Sequence, residues 1–404
     1  MTRKVPIVAK KLFGINPVLL VTMYALLIFS IFAIESAARH QSVGGEWFAS
    51  RQIRWIVLGS LVYLTVSFID YKWLKWLSIP MYIVAMVLML VVLAKGSNVH
   101  QISVAGISFQ PTQLMIGAGI LLVALLFEKL PEWKNWMNNP FVKLFIIAVF
   151  CGVPFLLVVK SGDMGSALVW VPVALVCLFV AGIPYRYLGI MAIIAIAVLP
   201  ILYFMVLPKV SDRASERIDQ YIAMVQNNGE VTDITGDDYA IHYVTTAIGG
   251  AGWKGVGRLN VDRSGQAGAI HSNKYIPTET AHNDYIFGVI GEELGFQGGL
   301  LLIITYMLLI TACLVTGFFS RDAYGLITCC GISALLFAHI FENIGMCIRV
   351  MPITGIPLPL VSYSGSFTLI CMLLLGFVQS VWIHRIDHSP KDEDDRRRVR
   401  MLNL

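Results

Sequence analysis

The chain has 404 residues, of which 57% are hydrophobic and 14% charged, with a formal net charge of +5. A soluble domain carries about 25% charged residues, so an ordinary soluble enzyme is excluded and a polytopic membrane protein is indicated. The seven cysteines fall mostly in apolar runs without a CxxC pair, and read as packing residues rather than disulfides or metal ligands.

In chain order, ten apolar runs approach the roughly 20 residues that cross a bilayer as helix: 17–36, 53–69, 78–95, 112–128, 141–160, 164–182, 186–207, 299–319, 324–346 and 366–386. The first is long and lacks a small-residue cleavage site, so it reads as a retained span rather than a signal peptide. Arg3, Lys4, Lys10 and Lys11 precede it. Lys72 and Lys75, then Lys129, Lys134 and Lys143, then Arg186, then Arg321 occupy alternate short loops, and Arg385 and Arg396–Arg398 follow the last run. Basic loops face the cytoplasm, which places both termini inside and agrees with an even number of spans. The expected fold is an all-α polytopic membrane protein, one domain over 1–404. Its charged cytoplasmic tail, 387–404, reads as a topology and anionic-lipid anchor rather than a nucleic-acid site.

With that topology the outward loops are 37–52, 95–113, 160–166, 208–283 and 349–366. They are longer than the inward ones, so the chain works at the outer face. No internal repeat is visible, which disfavours an inverted-repeat transporter. No Walker motif or dinucleotide fingerprint is present either.

The large loop 208–283 opens with Ile218 and Ile222 four apart, the pattern of a short amphipathic surface helix. Its glycines, Gly249, Gly250, Gly252, Gly255 and Gly257, fit either a flexible turn or a backbone approaching a phosphate beside Lys254 and Arg258. The loop ends in "TAHNDYIFGVIGEELG", 280–295. On a helix at about 100° per residue, Asp284, Gly288, Gly291 and Gly295 share one face, Glu292 flanks it and Glu293 points away. Two readings stand open. Asn283 or Asp284 caps the helix while the glycines permit close packing; or Asp284 crowns a groove that admits a lipid-linked substrate.

In "PITGIPLPLVSYSGS", 352–366, Pro352, Pro357 and Pro359 cannot continue a regular helix. Irregular backbone between apolar spans persists where it is buried in protein or lines a wet cavity. A re-entrant segment before the tenth span is therefore expected, with Arg349 at its start and Ser362 and Ser364 supplying polar groups. Lys160 and Asp163 sit where they can pair. His339, Glu342 and Asn343 share a face of the ninth span and read as a hydrogen-bonded seam between helices.

These stretches resemble the RodA/FtsW/SpoVE (SEDS) proteins of bacterial cell-wall synthesis. "RVMPITGIPLPLVSYSGS" is similar to that family's LPxTGxPLPLxSYGGS. "HNDYIFGVIGEELGFQG" is similar to its H-[TN]-D-[FY]-I-F…E-E-L-G-x-x-G, "SFQPTQL" to FQPSE, and "SGDMGSA" to QPDxGTA. The matches run in order over nearly the whole chain. Departures are "PTETAHND", longer than P-E-x-H-T-D, with Glu279 in place of its glutamate; His100 and Gln101 in place of an Arg-Trp pair; Gln113 for glutamate; Ser161 and Gly162 for Gln-Pro; and Ser364 for glycine.

The resemblance implies a peptidoglycan glycosyltransferase that polymerises lipid II at the outer face of the cytoplasmic membrane, with a class B penicillin-binding transpeptidase and other elongation-complex membrane proteins as partners. It places the essential aspartate on Asp284 and the second motif acid on Asp163. Such a reaction needs a base for the acceptor hydroxyl and positive charge for the departing diphosphate. Asp284 is the candidate base, with His282 and Asn283 orienting it or the sugar. Arg217, Arg349, Lys160 and Lys254 are the candidate diphosphate contacts, and Ser362 a further substrate contact. A divalent cation could share the diphosphate charge, although no ligand set demands one. The alternatives are a lipid II flippase, a division polymerase, and a non-catalytic activator of the transpeptidase. Short termini favour the elongation role.

Overall fold

A computed structural model describes residues 14–95, 102–104, 107–201, 237–257 and 276–385. The helices are α1 (Pro17–Ala37), α2 (Gly45–Phe68), α3 (Ser78–Ala94), α4 (Pro111–Trp133), α5 (Pro140–Ser161), α6 (Met164–Val180), α7 (Tyr185–Ile201), α8 (Asp237–Gly250), α9 (Ile286–Phe318), α10 (Ala323–Cys347) and α11 (Gly365–Ile383). Each of the ten apolar runs falls on a helix over its described residues, the seventh being described as far as Ile201, and α8 is an additional short helix. Seven of the described helical segments are long and apolar enough to cross a membrane, and α6 and α7 are shorter apolar helices. The second expected span is the 24-residue α2, whose first half carries Glu46, Arg51 and Arg54. One feature absent from the sequence reading is a two-stranded antiparallel hairpin, Ile102–Val104 with Ile107–Phe109.

Local chemistry sets the helix starts. Asn16 accepts from the Val18 and Leu19 amides at 3.1 and 3.3 Å. Asp163 caps α6 through the Ser166 amide at 3.2 Å, and Asp322 caps α10 through Gly325 at 2.9 Å. Each bond satisfies an amide that the helix leaves open. α5 passes through a π-helical turn at Ala148–Gly152, just before Pro154, whose ring removes a donor from the regular ladder.

α10 is the axis of the bundle. It is buried along nearly its whole length and packs inside protein, while α3 turns much of its surface outward. α9 and α6 flank α10, α11 lies along α2, and α1 packs on α9. At one end of the bundle Lys75 pairs with Glu128 at 3.0 Å, with both side chains nearly buried. The opposite end gathers the start of α2, α4, α6, α9 and α11 and the finish of α1 and α10, and there the motifs meet.

Candidate functional site

Asp284 does not lie on a helix. The chain forms successive turns over 278–285, and α9 begins at Ile286 with no side-chain cap. Tyr285 holds the N-cap position, which the capping reading gave to Asn283 or Asp284. The turn closes on itself, the Asn283 and Asp284 amides donating to the Thr280 carbonyl at 3.1 and 3.0 Å. Asp284 is thereby held half-buried at the end of the bundle.

The turn is fixed from two sides. Asn343 of α10 donates through Nδ2 to the Asp284 carbonyl at 2.9 Å and to the Ile356 carbonyl at 2.8 Å. The Ser362 hydroxyl donates to the Asn283 carbonyl at 2.5 Å, and the Tyr363 amide to the His282 carbonyl at 2.9 Å. The polar seam expected on α10 thus reaches the candidate base. One turn earlier on α10, His339 meets the Gln113 amide oxygen at 2.8 Å, and Gln113 donates to Ser166 at 3.0 Å.

The 352–364 segment is irregular and mostly buried, as the sequence led one to expect. Buried backbone needs partners, and side chains supply them. Tyr306 donates to the Pro359 carbonyl at 2.6 Å, Asn343 serves Ile356, and Ser362 Oγ accepts from the Leu358 amide at 2.8 Å. Ser362 therefore positions the turn instead of standing open to a substrate.

His282 is only 4% exposed. Its ring lies 4.4 Å from that of Phe48 and 5.6 Å from that of Tyr363. Burial pushes its pKa down to about 4, against a small raising effect of a backbone bond with Thr278. A neutral, enclosed imidazole props the turn, and His282 and Asn283 act on their neighbours through backbone carbonyls.

The glycine face of α9 is not an open groove. A β-carbon at Gly288 would meet Val244 and one at Gly291 would meet Ile248, both on α8. At Gly295 the helix kinks with φ 64° and ψ −163°, a conformation essentially restricted to glycine. Gly252–Gly257 lies against that kink. Phe296 donates to the Gly252 carbonyl at 3.0 Å, Val256 to Glu292 and Gly257 to Glu293, both at 2.9 Å. Close packing, not substrate entry, explains these glycines. Glu293 points away from that face, as expected, and is buried on the other side of α9, bonded by Ser36 and paired with Arg39.

The remaining candidates separate. Asp163 accepts from Thr112 at 3.0 Å as well as capping α6. Lys160 is exposed and forms no ion pair with it among the described residues. Lys254 is exposed beside the Gly295 kink, roughly 14 Å along α9 from the Asp284 turn. Arg349 adopts φ 60° and reaches His242 of α8 at 3.4 Å. Arg217, Ile218, Ile222, Arg258, His100 and Gln101 lie outside the described residues. Among the described residues no group of three or more His, Cys, Asp or Glu side chains could hold a metal ion.

Sequence reasoning passed over Arg51, Arg54 and Tyr363. Arg51 sits over the Trp47 ring at 4.5 Å and also contacts the Tyr363 hydroxyl. Phe48, on the same stretch of α2, touches His282. The available signal was two arginines three residues apart in a helix end assigned to the outer side, where basic residues are disfavoured.

Residues 11–386 match the model of the FtsW/RodA/SpoVE family, described as cell cycle proteins. The chain belongs to this family. Among curated members it is 29% identical over 379 residues to the peptidoglycan glycosyltransferase MrdB of Escherichia coli K12, covering 92% of this chain and 94% of the relative. It is 28% identical over 373 residues to a probable peptidoglycan glycosyltransferase FtsW of Geobacter sp. M18, covering 90% and 94%. Its fold is shared with a chain of a peptidoglycan synthase complex, TM-score 0.71 at 22% identity, covering 92% of this chain and 99% of that one. The rod shape determining protein RodA of Thermus thermophilus is also similar, TM-score 0.60 at 21% identity, covering 92% and 98%.

Proposed function

We propose that this family member is a peptidoglycan glycosyltransferase, which joins lipid II units into glycan strands at the outer face of the cytoplasmic membrane during cell elongation. The observation that carries the reading is the mounting of Asp284. A half-buried carboxylate stands on a turn whose carbonyls are gripped by Asn343, Ser362 and Tyr363. A base held this way is pre-oriented before substrate arrives, and general-base help contributes about 10²–10⁴-fold.

In this mechanism Asp284 takes the proton from the 4-hydroxyl of the acceptor sugar as that oxygen bonds to the anomeric carbon of the donor. The anomeric carbon releases the lipid diphosphate with its electron pair, so one displacement completes the transfer. Its low pKa keeps His282 neutral near pH 7, so it does not compete for the proton. The topology read from basic loops places this end of the bundle outside and both termini in the cytoplasm. The relative solved in a synthase complex supports a class B penicillin-binding transpeptidase as partner. The deciding experiment is lipid II polymerisation by the purified chain, with and without that partner, beside Asp284→Asn. An amide cannot accept the proton, so polymer should vanish in the variant. Full-length glycan from Asp284→Asn would overturn the role.

A further inference from the structure

The glycosyltransferase reading leaves one requirement unassigned: the cation that receives the diphosphate. Of the described cations expected to do so, Lys160 and Lys254 are exposed and Arg349 reaches His242. Arg39, on the loop after α1, is committed to Glu293.

Arg51 and Arg54 of α2 differ. Neither forms an ion pair with a carboxylate among the described residues. Arg51 is half-buried, held over Trp47 at 4.5 Å and against the Tyr363 hydroxyl, and Arg54 adds its charge there. Tyr363 in turn is bonded through its amide to His282, two residues from Asp284. Arginine suits this duty because its planar fork matches phosphate oxygens in pairs, and aromatic contacts fix its direction beforehand. Two basic residues retained on the disfavoured side of a membrane also call for an anion there.

We propose that Arg51, steadied by Trp47 and Tyr363, and the exposed Arg54 one turn further along α2 form the site that holds the diphosphate of the lipid-linked donor beside Asp284. This rests on the glycosyltransferase reading. The same chemistry would recognise the phosphate of an anionic phospholipid, so the test separates the two.

The full chain is reconstituted in nanodiscs of phosphatidylcholine, and undecaprenyl diphosphate binding is measured with increasing phosphatidylglycerol as competitor. The double variant Arg51→Gln/Arg54→Gln should bind undecaprenyl diphosphate at least about tenfold more weakly, with a shallower salt dependence. Tyr363→Phe should weaken it severalfold. Arg186→Gln, which removes a cation at the opposite end of the bundle, should leave it unchanged. Should the double variant fail to elute as a monodisperse protein, Arg51→Lys/Arg54→Lys keeps the charges without the forks, and an intermediate loss is expected. Binding within twofold of the unaltered chain in these variants overturns the proposal. So does a loss confined to phosphatidylglycerol, which would mark a headgroup site. If the unaltered chain binds the diphosphate through these arginines yet makes no polymer from lipid II, the activity fails while the site stands. If it polymerises and the arginines are indifferent, only the site fails.

Discussion

Two irregular segments at the same end of the bundle, Ala251–Gly257 and Pro352–Ser364, solve opposite problems. The glycine run gives up side chains, so its backbone comes close enough to α9 for amides and carbonyls to pair directly around Gly295. No side chain has to help. The proline run gives up amide donors, so its buried carbonyls draw donors from elsewhere: Asn343 from α10, Tyr306 from α9. Because Asn343 also grips the Asp284 carbonyl, that dependence ties the segment to the candidate base. The glycine clasp joins helix to loop; the proline strap fixes the turn that carries the candidate base.

Five substitutions would break or sharpen that contrast. The largest effect is expected at the group the strap serves: Asp284→Asn should lower lipid II polymerisation by about 100-fold or more with unchanged thermal stability, read as polymer formed per unit time. Next is the clasp. Gly295→Ala places a side chain on a φ of 64° and against the backbone of Trp253–Gly255, and should cost about 3 kcal/mol or more. A thermal melt in detergent checks it, and unchanged stability would mean the clasp is dispensable. Asn343→Leu removes the donor shared by the Asp284 and Ile356 carbonyls and should cost roughly 2 kcal/mol. It should also depress turnover more than Gly295→Ala does once activity is normalised to folded protein; equal losses would erase the distinction between the segments. Ser362→Ala leaves the Asn283 carbonyl and Leu358 amide without that partner, costing about 1–2 kcal/mol and reducing turnover severalfold. The smallest effect concerns pH. His282 has a folded pKa of about 4, below the ordinary 6.5. The unfolded chain therefore binds the extra proton first as pH falls, and stability from this group is complete above about pH 6.5 and declines toward pH 4. His282→Phe should remove that part of the acid sensitivity, measured as the difference in melting temperature between pH 7.5 and pH 5.

Membrane character, the apolar runs and the irregular segment before α11 were legible in the residues, because a bilayer requires long apolar stretches and proline cannot continue a helix. Asp284 as candidate base came from the family resemblance, since its own spacing left a capping reading equally open. The glycine face of α9 was also legible as a pattern, but its occupant was not. A small-residue stripe is the same whether a substrate or another helix covers it, and only the return of α8 showed that Val244 and Ile248 fill it.

By itself, then, the sequence determined what is local: hydropathy, helix breaks and the family motifs. Tertiary structure alone decided which distant residues meet. Asn343 bridges two segments, Arg39 is taken by Glu293, and α2 brings Arg51 and Phe48 to the turn that carries Asp284. The physical reason is range. A helix or a turn is set within a few residues, whereas a buried carbonyl or charge is satisfied by whatever the fold carries to it, hundreds of residues away in the chain.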